Sequence, residues 1–200
     1  MAVKSNTRER IIQAALAAFS QNGYEGSSTR EIAKRADVNE ITLFRHFQNK
    51  ENLFREVLHF HAPTSLLTDE LDEKLTDNLS DSLTYLAQIY LEHEYKNLDY
   101  IRIGIMEVPR NPTYANIVRM IPMRLEEHLK KYLTDLSERG LIRSANYKLL
   151  ARMFYAQLFQ HVSMICSFGD DDSSLKQESD ELVETIVFMF TSILSDSESK

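Results

Sequence analysis

A chain of two hundred residues, 43% hydrophobic and 26% charged, has core enough for one large or two modest globular domains, and its one cysteine excludes an internal disulfide. Five glycines, four prolines and no tryptophan among many Leu, Glu and Ala residues favour helix. The net charge of −7 divides unevenly, with +2 in residues 1–60 and −9 in residues 61–200, which suggests two tasks in one chain. No run has the apolar length of a membrane span, and MAVKSNTRER lacks the apolar stretch of a signal peptide, so no membrane partner is expected and the expected location is the cytoplasm.

The first helix opens at Asn6, with Glu9 three positions on. Ile11, Ile12, Ala15, Leu16 and Phe19 recur on one face, and Asn22-Gly23 ends the helix with Gly23 as a left-handed C-cap. From Ser28 to Lys50 the sequence STREIAKRADVNEITLFRHFQNK reads as two short helices about a tight turn. Ser28 and Glu31 form a capping box; Ile32, Ala33 and Ala36 supply an apolar face, and Ala36-Asp37-Val38 supplies the turn. Asn39 caps a second helix with Leu43, Phe44 and Phe47 as its apolar positions. Small side chains at Ala33 and Ala36 let the helices cross closely. Glu40, Ile41, Thr42, Arg45 and His46 then point outward, as on a recognition helix in a DNA major groove. The core expected for this three-helix head is Ile11, Leu16, Phe19, Ile32, Val38, Leu43 and Phe47. Asn49 caps a fourth helix with Lys50 in its first turn, an unfavourable cation unless an anion such as a DNA phosphate sits there.

The run Ile11…Ala15…Phe19…Gly23-Tyr24…Ser28…Ile32-Ala33…Ala36-Asp37-Val38…Thr42-Leu43-Phe44…His46-Phe47…Lys50-Glu51…Leu53 resembles the DNA-binding head of TetR/AcrR-type transcriptional regulators. The resemblance covers residues 7–58, about a quarter of the chain. It implies that Arg30, Glu40, Ile41, Thr42 and Arg45 approach base edges, while Ser28, Thr29, His46 and Lys50 face the backbone. The chemistry agrees: Arg30 suits guanine, Thr42 a base or a methyl, and Glu40 a cytosine amino group. The family usually has Tyr where this chain has Phe44 and often Gly at Ile41; Phe44 is expected to keep only a packing role, and Ile41 to meet a thymine methyl.

Further on, the helix pattern continues. A break falls at His59–Pro63, a short amphipathic piece at Leu66–Leu75, and helices at Asn78–Lys96 and Asp99–Val108. Pro109–Pro112 breaks the chain before a helix at Thr113–Leu136, kinked at Pro122, with Gly140 as the C-cap that follows. The last two helices span Asn146–Phe168 and Ser174–Ser195, about an acidic loop at 169–172. The fold expected is all-α with about nine helices: a helix-turn-helix head at 1–50 and a helical effector-binding and dimerisation domain at 51–200. Val187 to Phe190 cannot all face one core, because consecutive helical residues point about 100° apart. The resemblance implies that these two helices form a four-helix bundle with their copies in a homodimer, and two-fold symmetry then predicts a palindromic operator on double-stranded DNA.

The resemblance also implies a pocket for a small-molecule effector. Candidates with mixed apolar bulk and polar handles are Tyr85, Ile89, His93, Arg102, Met106, Met120, Phe154 and Gln157, with Met123 and His161 beside them. Arg102 suits an anionic ligand, or a pair with Glu92, Glu94 or Glu107. No Gly-rich phosphate loop, G-x-S-x-G or metal-ligand spacing is present; His59 and His61 diverge on a helix, as do His161 and Cys166. No enzyme activity, metal or cofactor is expected. The function expected is a homodimeric repressor released from its operator by an effector. The alternative is a regulator or activator controlled by a protein partner, with no small-molecule pocket.

Overall fold

The computed structural model describes residues 6–60, 69–111, 114–168 and 178–195. Among these the chain forms ten helices and no strand: α1 Thr7–Gly26, α2 Thr29–Arg35, α3 Glu40–Phe47, α4 Lys50–Phe60, α5 Asp69–Lys74, α6 Leu79–Lys96, α7 Leu98–Glu107, α8 Ala115–Glu138, α9 Tyr147–Phe168 and α10 Ser179–Leu194. The fold is all-α, with a helix-turn-helix near its start, as the sequence pattern leads one to expect. The breaks at Pro63 and Pro112, the acidic loop at 169–172 and a helix start at Ser174 lie outside the described residues. The chain divides into two compact units, one of residues 1–62 with 97–119 and one of 63–96 with 120–200.

In the first unit α1 to α4 pack with α7 and the start of α8. All the apolar residues expected in the head are buried except Val38, which is half-buried. The core is larger than a three-helix head, since Leu53, Phe54, Val57 and Leu58 of α4 and Tyr100 and Ile103 of α7 join it. Phe54 is its hub, edge-on to Phe19 and Tyr24 at 5.0 Å each and tilted against Tyr114 at 4.7 Å. Each such buried ring contributes about 1.5–3 kcal/mol by burial, and ring pairing adds roughly 0.5–1.5 kcal/mol.

Gly23 departs from its expected role. It does not close the helix as a left-handed cap: its backbone lies at φ 71°, ψ 174°, a glycine region, and helix resumes as far as Gly26. The interruption frees the Tyr24 N–H, which donates at 3.0 Å to the Glu107 carboxylate at the end of α7. Glu107 is buried, and Arg110 approaches the same oxygen at 3.5 Å.

In the second unit Phe154 of α9 lies between Tyr155 and Phe190, edge-to-face at 5.2 and 5.5 Å, and Tyr90 of α6 packs on Tyr155 at 5.3 Å. A polar node joins three helices: His161 Nε2 is 3.0 Å from the Tyr95 hydroxyl, which is 2.5 Å from Ser179 Oγ. Residues 120–138 of α8 carry Pro122 inside continuous helix. Gly140, at φ 73°, then takes the expected capping role, with Gly140 N–H on Ser137 O and Leu141 N–H on Leu136 O.

α10 has two apolar faces. Val183, Ile186, Val187, Phe190 and Leu194 point into the unit, whereas Phe188, Met189 and Ile193 point out. On α9, Leu149, Met153, Phe159 and Met164 are likewise exposed.

Candidate nucleic-acid interface

Local capping builds the helix-turn-helix. Ser28 Oγ accepts the Glu31 N–H at 3.1 Å, while the Glu31 carboxylate takes Arg35 at 3.0 Å. α2 ends in a paired turn: Asp37 N–H donates to Lys34 O and Val38 N–H to Ala33 O, with Asp37 at φ 53°. A short polar side chain makes Asp one of the few residues other than Gly that enter this conformation readily. Asn39 Oδ1 accepts the Thr42 N–H at 2.7 Å and starts α3. Gln48, at φ 66°, ends it, and Asn49 Oδ1 accepts the Asn52 N–H at 2.7 Å to start α4. Ala33 and Ala36 are buried, so the two helices cross without bulk between them.

The nine residues assigned to DNA all retain surface. Ser28, Arg30, Ile41, Arg45 and His46 are exposed, and Thr29, Glu40, Thr42 and Lys50 are half-buried. Ile41 stands 80% exposed. An open groove of about 860 Å³ lies between α2 and α3, lined by Ser28, Arg30, Glu31, Lys34, Asn39 and Glu40.

Three contacts qualify the roles drawn from the sequence. The Thr29 hydroxyl donates to Glu40 Oε1 at 2.5 Å, so its one proton is committed within the protein. Its backbone N–H, in the first turn of α2, is the group left for a phosphate. The Lys50 ammonium lies 4.3 Å from the centre of the Tyr24 ring, which relieves its position at a helix N-terminus. Burial raises the Tyr24 pKa, helped by the nearby Tyr114, Glu51 and Glu25, so the ring beneath that ammonium stays neutral at physiological pH. Phe44 is the third case: the core is filled by Leu43 and Phe47, and Phe44 remains 40% exposed and not sealed in packing.

The effector candidates are divided between the units. Arg102 and Met106 belong to the first; Tyr85, Ile89, His93, Met120, Phe154 and Gln157 belong to the second. Arg102 pairs with Asp99 one turn back at 3.1 Å, an acid outside the three weighed from sequence. Met106 lies beside Gly23. Phe154 is fully buried between two rings, Gln157 donates to Met153 O of its own helix at 3.3 Å, and His93 Nδ1 is 3.5 Å from Glu94 Oε1. Tyr85 and Ile89 are half-buried, and Met120 and Met123 are exposed. Sequence reading missed the Glu107–Tyr24 bond and the Tyr95–His161–Ser179 node. Their partners are 83 and 66 residues apart or on separate helices, and no local pattern signals such pairs.

A capped, closely crossed helix pair with an open second helix, on an all-α chain, defines a DNA-binding regulator of the helix-turn-helix class. Residues 11–57 match the family model of bacterial regulatory proteins of the tetR family, and residues 81–193 match that of the AefR-like transcriptional repressor C-terminal domain. The second match spans more than half of the sequence, and the chain belongs to the TetR family of DNA-binding transcriptional regulators. It is similar to the uncharacterised helix-turn-helix regulator YvkB of Bacillus subtilis, 29% identical over 86% of this chain and 89% of YvkB. The crystal structure of a TetR-family regulator from Mesorhizobium loti superposes with a TM-score of 0.75 at 26% identity, over 95% of this chain and 97% of that one. FadR of Bacillus subtilis, solved with stearoyl-CoA, shares the fold at a TM-score of 0.73 and 21% identity, over 90% and 97% of the two chains.

Proposed function

We propose that the chain is a homodimeric repressor that occupies a palindromic operator in the cytoplasm and leaves it when a small-molecule effector binds. The observation that carries this reading is the outward apolar face of the last two helices. Phe188 is 71% exposed and is flanked by Met189 and Ile193, with Leu149, Met153, Phe159 and Met164 exposed on α9. Scattered single apolar residues on a surface need no explanation, but a face recurring along two long helices calls for a partner. A second copy of the same two helices supplies one of matching character. Dimerisation also suits a head of only +2 charge, because two linked heads gain affinity by avidity that one weakly basic head lacks.

In this reading residues 1–50 read DNA and 51–200 bind effector and partner. Ser28, Thr29, Lys50 and His46 seat the backbone, and Arg30, Glu40, Ile41, Thr42 and Arg45 meet bases. The effector binds within the second unit, where Tyr85, Ile89, His93, Met120, Phe154 and Gln157 lie. It empties the operator only by the difference between its affinities for the DNA-competent and incompetent forms. The repressor description of the matched C-terminal family model and the acyl-CoA bound to the FadR structure support an effector-released repressor.

The test is selection of binding sites from random duplex DNA by the purified protein, with its mass in solution measured alongside. A palindrome bound by a dimer, and released by one of a panel of small molecules that includes stearoyl-CoA, supports the reading. A monomer without sequence preference refutes it.

A further inference from the structure

Lys50 opens α4, where the helix end is itself positive, and an ammonium on a flexible four-carbon stem is free to swing away from it. The fold gives that ammonium a fixed resting place 4.3 Å from the centre of the Tyr24 ring. The ring is in turn seated on Phe54, edge to face at 5.0 Å. The Tyr24 backbone is held from a further direction. Its N–H, released by the break at Gly23, donates at 3.0 Å to the Glu107 carboxylate, whose side chain is 7% exposed at the end of α7. Burying a carboxylate is costly unless hydrogen bonds compensate; among the described residues those of Glu107 come from this N–H and, at 3.5 Å, from Arg110. Lys50, Tyr24 and Glu107 all belong to the first unit, so the contacts run without a gap from α7 through the end of α1 to the start of α4.

We infer that Tyr24 is the positioning residue for the grip of Lys50 on the DNA backbone, and that Glu107 sets Tyr24 in place from α7. The inference rests on the backbone role proposed above for Lys50. An ammonium has three donors, and lying over a ring face leaves it donors for a phosphate on the solvent side. Lysine is among the side chains that lose most rotamer freedom when immobilised. An ammonium already seated on the ring has lost part of that freedom during folding, so DNA binding need not remove it again. The ring face is required for a second reason: its negative quadrupole offsets the repulsion of the positive helix end, which an aliphatic side chain of similar bulk cannot do. Glu107 acts through the backbone. Its bond fixes where the chain re-enters helix after Gly23, and with it where the Tyr24 ring stands. An uncharged oxygen acceptor at the same place would serve equally, because what Lys50 meets is the ring and not the carboxylate.

The experiment measures the affinity of the full-length protein for a labelled duplex of mixed sequence across a salt series, by fluorescence anisotropy. Wild type is compared with Lys50→Ala, Tyr24→Leu, Tyr24→Phe, Glu107→Ala and Glu107→Gln, and Tyr24→Leu and Glu107→Ala are each also combined with Lys50→Ala. Thermal melts confirm native folding. Lys50→Ala lowers the slope of log affinity against log salt by about 0.9 for each head bound. Tyr24→Leu and Glu107→Ala each weaken binding roughly 2- to 12-fold per head. Tyr24→Phe and Glu107→Gln, which keep the ring and the acceptor, restore it. In the Lys50→Ala background Tyr24→Leu and Glu107→Ala have no further effect, a coupling that a merely structural role would not give. A Tyr24→Leu protein that weakens binding equally with and without Lys50 overturns the inference. So does one that binds more tightly, because the ring would then hold the ammonium back from DNA. Should Tyr24→Leu not fold, the Glu107→Ala pair decides alone. If Lys50→Ala leaves the salt slope unchanged, the backbone role of Lys50 fails and this inference with it; a lowered slope with no effect of Tyr24→Leu overturns the inference by itself.

Discussion

Replacing Gly23 by alanine tests how the end of α1 is built. In an uninterrupted helix the change would stabilise, because alanine is favoured over glycine by about 0.8–1.0 kcal/mol. Here Gly23 lies at φ 71°, ψ 174°, which costs a side-chain-bearing residue on the order of 1–3 kcal/mol. A Cβ at this position would also stand 2.8 Å from Glu107 Oε1, the oxygen that accepts the Tyr24 N–H. Moving that carboxylate leaves a donor without its partner, at about 1–3 kcal/mol. Together the two effects predict a destabilisation of about 2–6 kcal/mol. Urea unfolding followed by circular dichroism would measure it, in the wild-type and Glu107→Ala backgrounds. The steric share should vanish with Glu107 removed, while the backbone share persists, so the coupling separates the two causes. A neutral or stabilising Gly23→Ala would refute both the interrupted geometry and its contact with α7.

Other perturbations read other parts of the molecule. Asn39→Ala removes the cap of α3 and should cost about 1 kcal/mol in unfolding experiments, with Asn39→Asp close to neutral. Phe188→Asp should leave the helix content unchanged and convert the proposed dimer to monomer in sedimentation, with operator affinity falling in step; a dimer that survives would move the interface elsewhere. Tyr90 and Tyr155 are both held protonated well above the ordinary tyrosine range, by burial and, for Tyr90, by Glu94 and Tyr155 as well. The unfolded chain releases these protons first, so the stability they contribute is complete below pH 10 and declines as pH rises toward the folded-state values. Denaturation midpoints should therefore fall above pH 10 and fall less in Tyr155→Phe; equal declines would assign the alkaline loss to other groups.

Sequence alone determined the all-α architecture, the helix-turn-helix and its caps, because these depend on interactions within a few residues. Ser28 with Glu31, Asn39 with Thr42 and Asn49 with Asn52 all act across three positions, and the apolar repeat that buries Ile11, Phe19, Leu43 and Phe47 acts across one or two turns. The two apolar faces of α10 were legible for the same reason: four consecutive large residues on a helix must point several ways. Tertiary structure alone decided which of several compatible neighbours each side chain meets. Phe44 sits in the apolar pattern yet stays partly exposed, because Leu43 and Phe47 already fill the space beneath α3. Lys50 meets the Tyr24 ring, Thr29 gives its proton to Glu40, and Glu107, far along the chain, accepts the N–H exposed by the break at Gly23. Such contacts depend on where separate helices come to rest against a shared core, and no periodicity or local propensity within one segment encodes that placement.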